Sequence, residues 1–252
     1  MIYGDYHTHT VFSHGKGSME DNVRAAVNVG LKEIAITDHG PRHVTAGVKI
    51  KRLPDFFAEA ERLGAAYPQI RIFTGIEANF LSPRGEIDVP AEYADKFDVI
   101  VCGYHKVIKP LKAGDIGFFL ANLVCKNTKS TLVRNTDAYI NALEKNDIDI
   151  ISHPDHDCRI DLRAVGEAAA AKGTLLELNG KRISLTADEL VMLADLGCRF
   201  IMDSDAHTPE KVGDVSIQMK AYAESGLPSS LVVNLDKAPS FRRGKEKEKR
   251  RL

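Results

Sequence analysis

The chain has 252 residues, with 34 Lys and Arg against 35 Asp and Glu, a formal net charge of −1, and 44% apolar residues. A near-neutral balance without a strong basic stripe argues against a nucleic-acid or membrane surface, and the length accommodates one α/β barrel or two small domains. The first residues lack the basic and apolar regions of a signal peptide and no apolar run is long enough to span a bilayer, so the expected location is cytoplasmic.

In chain order, short apolar runs at residues 2–7, 34–37, 70–74, 99–102, 148–152, 174–178 and 200–202 read as buried strands. Segments of helical period lie between them. Gly30 falls where a helix C-cap is expected, and Leu53, Phe56, Phe57, Ala60 and Leu63 share one helix face. Residues 106–135 form a longer connection carrying Gly114, Gly117, Phe118, Phe119 and several lysines. It suits either a lid over a substrate or a helical insertion. Thr186 to Glu189 is a capping box, Gly197 is a second C-cap, and Thr208-Pro209 places an N-cap before a first-turn proline. About seven βα units over this length imply a parallel sheet in a closed or nearly closed barrel. The expected layout is one barrel domain over residues 1–240 and a solvated, charged tail over 241–252. Cys102, Cys125, Cys158 and Cys198 are too widely spaced for a zinc ribbon and read as buried reduced thiols.

Of the nine histidines, seven fall at or just after a predicted strand end: His7, His9, His14, His39, His105, His153 and His207. Glu77 and Asp205 occupy the same kind of position. In a barrel the C-terminal strand ends converge on one rim, so residues spread over most of the chain would share a pocket. Side chains two apart on a strand point the same way, which lets His7 and His9 reach one ion. Imidazole nitrogen suits zinc, iron or manganese, Glu77 can bridge two ions, and Asp205 lowers the repulsion between them. Without metal, so many polar groups at buried strand ends would be costly.

The motifs His7-Thr8-His9-Thr10, Thr37-Asp38-His39-Gly40, Ile76-Glu77-Ala78-Asn79, Gly103-Tyr104-His105, Ser152-His153-Pro154 and Ser204-Asp205-Ala206-His207 resemble those of the PHP (polymerase and histidinol phosphatase) superfamily. The resemblance runs from residue 5 to about 213. It is nearest to stand-alone bacterial phosphatases with three metals, which share the stretch Gly85-Glu86-Ile87-Asp88. It implies a distorted (β/α)7 barrel with its metal site at the C-terminal rim. It also implies a first metal on His7, His9, Glu77 and Asp205, a second on Glu77, His105 and His153, and a third on His14, His39 and His207. Two departures lie near the expected substrate: Asp155-His156-Asp157 stands where the family often has glycine, and the connection after His105 is longer.

The expected activity is hydrolysis of a small phosphomonoester, histidinol phosphate being one candidate, by a hydroxide bridging two of three divalent ions. Zn²⁺ is the first expectation, with Mn²⁺ or Fe²⁺ as alternatives. Glu77, Asp205 and His207 are the expected catalytic groups, joined by Asp38 either as an acceptor orienting an imidazole or as a loop cap. Arg42, Lys106, Lys181 and Arg182 are candidate substrate contacts, or else surface charges. The competing readings are a phosphodiesterase on cyclic or nucleotide phosphates, a polymerase-type exonuclease, and a metal-binding regulatory protein without turnover. A chain with no polymerase domain and no basic stripe disfavours the exonuclease. The sequence leaves the oligomeric state open.

Overall fold

The computed structural model describes residues 2–125 and 128–241. The charged run from 242 onward lies outside the described residues. Seven strands, β1 Gly4–Thr8, β2 Glu33–Ile36, β3 Arg71–Asn79, β4 Val99–Gly103, β5 Ile150–Ile151, β6 Leu175–Asn179 and β7 Phe200–Asp203, pair in sequence order. Every pairing is parallel. Among the described residues seven α-helices run between or after them: α1 Met19–Asn28, α2 Leu53–Ala66, α3 Ile116–Val124, α4 Lys129–Lys145, α5 Leu162–Lys172, α6 Ala187–Asp195 and α7 Ser216–Ser225. The result is a nearly closed (β/α)7 barrel. No helix among the described residues is long and apolar enough to cross a membrane.

Local sequence explains the element boundaries. Capping boxes open α1 (Ser18 with Asp21) and α6 (Thr186 with Glu189), and Asp161 caps α5. Gly30 and Gly197 adopt φ of +85° and +87°, the left-handed turn that ends a helix. Leu53, Phe56, Ala60 and Leu63 form the buried stripe of α2. Burying each Leu or Phe there contributes about 1.5–3 kcal/mol. Thr208-Pro209 opens only a 3₁₀ turn, Pro209–Lys211, and the Thr208 side chain does not cap it. Within 106–135, Lys106 and Val107 line the pocket, and α3 and the start of α4 lie further along. Cys102, Cys158 and Cys198 are buried as expected, whereas Cys125 at the end of α3 is exposed.

The barrel closes through side chains rather than a full ladder. One backbone bridge, Thr8 to Ala206, joins the edges of β1 and β7. Elsewhere along this seam Asn234 donates from Nδ2 to Gly4 O (3.0 Å) and Met202 O (2.7 Å) and accepts from Met202 N–H (3.0 Å). Tyr6 N–H donates to Asp203 Oδ1 (2.7 Å), so a buried carboxylate substitutes for a strand carbonyl. Phe241, which the sequence reading placed in the tail, packs against Tyr6 and Phe73 beneath the lumen.

Candidate metal centre

Inside the barrel the chemistry changes from floor to rim. One or two residues from every strand make an apolar floor: Tyr6, Ala35, Phe73, Val99, Val101, Ile150, Leu175 and Ile201. Strand alternation returns the same face every second residue. Ile201 is therefore followed upward by Asp203, Leu175 by Glu177 and Asn179, and Phe73 by Glu77. Gly103 clears the way at the top of β4, where a Cβ would collide with Ser152 Oγ and the His153 ring.

Glu77 is the centre of this rim. It is fully buried, and its Oε1 lies 3.1 Å from His153 Nε2 and 3.3 Å from His105 Nε2. Its Oε2 lies 2.7 Å from His39 Nδ1, 3.4 Å from His7 Nε2 and 3.5 Å from His9 Nε2. Asp205 Oδ1 sits 3.1 Å from His9 Nε2 and 3.7 Å from His7 Nε2. The ring of His14 is 4.3 Å from that of His207 and 4.9 Å from that of His39. Three triplets have ligand atoms within 4.8 Å of one another: His7, His9 and Glu77; His39, Glu77 and His105; His9, His39 and His207.

The protonation states favour cation binding. Burial works against the charged forms of Glu77 and Asp205, yet the surrounding imidazoles outweigh it and hold both well below the usual carboxylate range. Burial, joined by neighbouring positive groups, keeps His9 well below its ordinary value and lowers His14 to about 4. Burial lowers His39 to about 3 even though Glu77 pulls the other way. Ionised carboxylates beside neutral imidazoles are the states a divalent ion needs; His7 and His153, raised against burial by Glu177 and Glu77, would each give up a proton on ligation. Among the described residues, the buried atoms His9 Nδ1, His39 Nδ1, His153 Nδ1 and Glu77 Oε2 have no hydrogen-bond partner, although the Oε2–His39 Nδ1 approach is short. Buried polar atoms left unpaired cost about 1–3 kcal/mol each, and ligation would relieve this at the rim. The residues present fit a metal cluster.

The cavity over these groups has a volume of about 300 Å³ and is walled by His14, His39, His105, His153, Asp205 and His207. Its outer wall carries Lys106, Lys181 and Arg182. A family model described as the PHP domain matches residues 5–184. The chain belongs to the PHP family. This PHP chain is 31% identical over 242 residues to a probable phosphatase of Shewanella sediminis, covering 91% of this chain and 88% of that one. It is 29% identical over 255 residues to a probable phosphatase of Caldanaerobacter subterraneus, covering 96% and 92%. Among solved structures, the histidinol phosphate phosphatase of Lactococcus lactis, complexed with zinc, L-histidinol and phosphate, is similar with a TM-score of 0.62. At 18% identity over 90% of this chain and 94% of that one, the likeness speaks for the fold.

All nine ligand positions expected of the PHP chain lie at this rim. The observed triplets divide them differently, with His9 rather than His14 beside His39 and His207, and His39 rather than His153 beside Glu77 and His105. Glu77 lies within β3 rather than after it, because β3 continues past Gly75 and pairs with β4 up to Asn79. Two expectations are corrected. Asp38 orients no imidazole; it accepts from Thr10 N–H (2.8 Å), Thr10 Oγ1 (2.6 Å) and Ser13, pinning the loop that follows β1. Arg42 does not line the cavity; its guanidinium donates to the carbonyls of Lys109 (3.2 Å) and Pro110 (3.0 Å). Lys106 faces the cavity paired with Asp157 at 2.6 Å. Lys181 Nζ lies 3.0 Å from Asp205 Oδ1 and 2.8 Å from His207 Nδ1.

The sequence reading missed the carboxylate that orients this cluster. His7 Nδ1–H donates to Glu177 Oε1 at 2.6 Å, while Glu177 Oε2 accepts from His153 N–H (2.8 Å) and Asn179 Nδ2 (2.9 Å). A carboxylate on the far nitrogen fixes the tautomer that turns Nε2 toward a metal. Its signal is a lone acid inside the otherwise apolar run 174–178. Asn79 plays a similar part for His105 Nδ1 (2.7 Å), and Asp88 holds Asn79 through Oδ1 and Oδ2.

Proposed function

We propose that this chain is a metal-dependent phosphatase that hydrolyses a small phosphomonoester at the barrel rim. The single observation that carries the reading is the pairing of the buried Glu77 cluster with a cation-bearing wall across one cavity. A volume of about 300 Å³ suits a small substrate, and a phosphoryl dianion is the group that both surfaces attract. His7, His9, Glu77 and Asp205 would hold one ion, Glu77, His105 and His153 a second, and His14, His39 and His207 a third; zinc is the first expectation. Bound divalent ions supply Lewis-acid polarisation of phosphoryl oxygens and a lowered pKa for water.

The chain's own side chains supply the rest. Lys181 has a flexible stem and its ammonium already lies at the rim, so it is placed to donate to a phosphoryl oxygen in exchange for Asp205. Arg182 widens the same positive field. Glu177 and Asn79 hold the His7 and His105 rings at fixed angles, so little reorganisation remains when the substrate arrives.

The test is metal analysis of the purified chain together with phosphate release from p-nitrophenyl phosphate, a set of small monoesters that includes histidinol phosphate, and bis(p-nitrophenyl) phosphate with cyclic diesters. About three metals per chain and monoester turnover at least tenfold above diester turnover is the expected result. Preference for diesters would replace the reading with a phosphodiesterase. Bound metal without turnover on any ester would replace it with a binding role.

A further inference from the structure

Two imidazoles of the cavity lining, His43 and His156, stand outside both the ligand triplets and the nine expected ligand positions. His43 lines the cavity with its ring centroid 5.0 Å from His39 and 5.5 Å from His105. Its position is held by a closed turn. His43 N–H donates to Gly40 O (3.2 Å), Gly47 N–H to His43 O (2.9 Å) and Val48 N–H to His39 O (2.9 Å). A bridge between His43 and Ile108, with Val44 N–H donating to Val107 O (2.9 Å), ties this turn to the segment after β4.

Within the turn, Ala46 N–H donates to His43 Nδ1 at 3.1 Å. That bond decides what the ring can do. A neutral imidazole has one nitrogen lone pair and one N–H. With the lone pair engaged by a backbone amide, the proton sits on Nε2, and that nitrogen has no lone pair left for a metal. Among the described residues Nε2 makes no hydrogen bond, so the ring presents a free donor to the cavity beside the ligands that surround Glu77.

We propose that His43 is a substrate-contacting residue whose Nε2–H donates to a nonbridging oxygen of the phosphoryl group. The inference rests on the phosphatase reading above and adds a neutral imidazole donor beside the cations and candidate metal ligands of the cavity. His43 would recognise the phosphoryl group itself and not the alcohol it leaves from.

The test uses zinc-loaded full-length chain and inorganic phosphate, read both as a competitive inhibitor and by calorimetry, for His43→Ala and His43→Gln. The amide nitrogen of Gln reaches close to the position of imidazole Nε2 and can donate there. His43→Ala should bind phosphate about tenfold more weakly with unchanged zinc content and melting temperature, and His43→Gln should return to within about threefold of the parent. Unchanged phosphate affinity in His43→Ala would overturn the proposal. Loss of zinc from that variant would also do so, since it would make His43 a ligand. A Gln variant as weak as Ala would remove the donor argument. A parent that binds phosphate through His43 yet hydrolyses no ester would leave the contact standing and overturn the phosphatase reading instead.

Discussion

Glu177→Gln changes one atom at the back of the metal centre and poses a choice the site cannot resolve. Glu177 accepts from His7 Nδ1–H on one oxygen (2.6 Å) and from His153 N–H (2.8 Å) and Asn179 Nδ2 (2.9 Å) on the other. A glutamine has one oxygen to serve both sides. If that oxygen faces His7, the NH₂ group opposes two donors, and two hydrogen bonds to a charged acceptor are lost at about 1.5–3 kcal/mol each. If the oxygen faces His153 and Asn179, His7 Nδ1 must accept, its proton moves to Nε2, and His7 can no longer ligate. Either way the metal nearest His7 should bind about 10–100-fold more weakly, the range for removing a ligand's outer partner. Zinc competition against a chromophoric chelator measures this directly, and melting of the chelated protein separates the two orientations, since only the first destabilises the metal-free fold. Zinc affinity within about threefold of the parent would refute the reasoning, because neither orientation permits it.

Three further outcomes follow from the same geometry. Glu77→Gln, which removes charge from the carboxylate approached by five imidazoles, should lower metal content and reduce turnover by more than about a hundredfold, the upper end for an outer partner alone; metal analysis with phosphate release checks it. Lys181→Met should raise KM for monoesters by about tenfold with metal content intact, because its half-exposed ammonium faces substrate and is no ligand; a fall in metal content would contradict that. The chelated protein should lose stability as pH falls from about 6.5, the unfolded histidine value, through about 4, where burial and positive neighbours have placed His14 and His43. The sign follows because these imidazoles take up protons more readily unfolded than folded; depressed Glu77 and Asp205 add a loss in the same direction below about 4, whereas the stabilisation from raised His7 and His153 changes above about 6.5 and is constant in this window. A melting temperature that rises between pH 6.5 and 4 would reverse the argument.

The ligand set was legible because two simple periods coincide. Strand alternation puts His7 and His9 on one face, and barrel convergence gathers strand ends that are far apart in sequence. Glu177 escaped because the same logic was applied to residues just beyond strands and not to those within them; the acid sits two residues past Leu175, where the lumen face turns from floor to rim. Asp38 and Arg42 each left two readings open for a different reason. Both stand next to strand ends in sequence, but sequence adjacency does not fix side-chain direction. Asp38 found four donors in the neighbouring loop, and Arg42 found two carbonyls of the segment after β4. The course of 106–135 was undecidable by period, since its apolar residues serve both a pocket edge and a helix whose Ile116, Leu120, Leu123 and Val124 remain exposed.

The candidate ligands and the imperfect barrel closure occupy the same place. His7 lies in β1 and His9 just after it, while Asp205 and His207 follow β7, and among the described residues one backbone bridge, Thr8 to Ala206, joins these two edges. On its other side, against β2, the register of β1 shifts between Asp5 and Thr8. A complete ladder between β1 and β7 would draw the two strand ends together and leave less room between their side chains for ions. The chain instead holds the seam with Asn234, Asp203 and Asp5, whose side chains reach across a wider gap than a backbone pair. Left-handed φ at His153 (32°) and Asp205 (51°) turns two ligands at the rim, and the same conformation at Asp155 (61°) and Asp157 (59°) shapes the loop beside them. Such conformations cost of order 1–3 kcal/mol each and persist where surrounding contacts fix them. Here the His153 amide is held by Glu177, and Asp205 by Lys181 and Asn179, so the side chains that fix the strained turns are also those that orient the site.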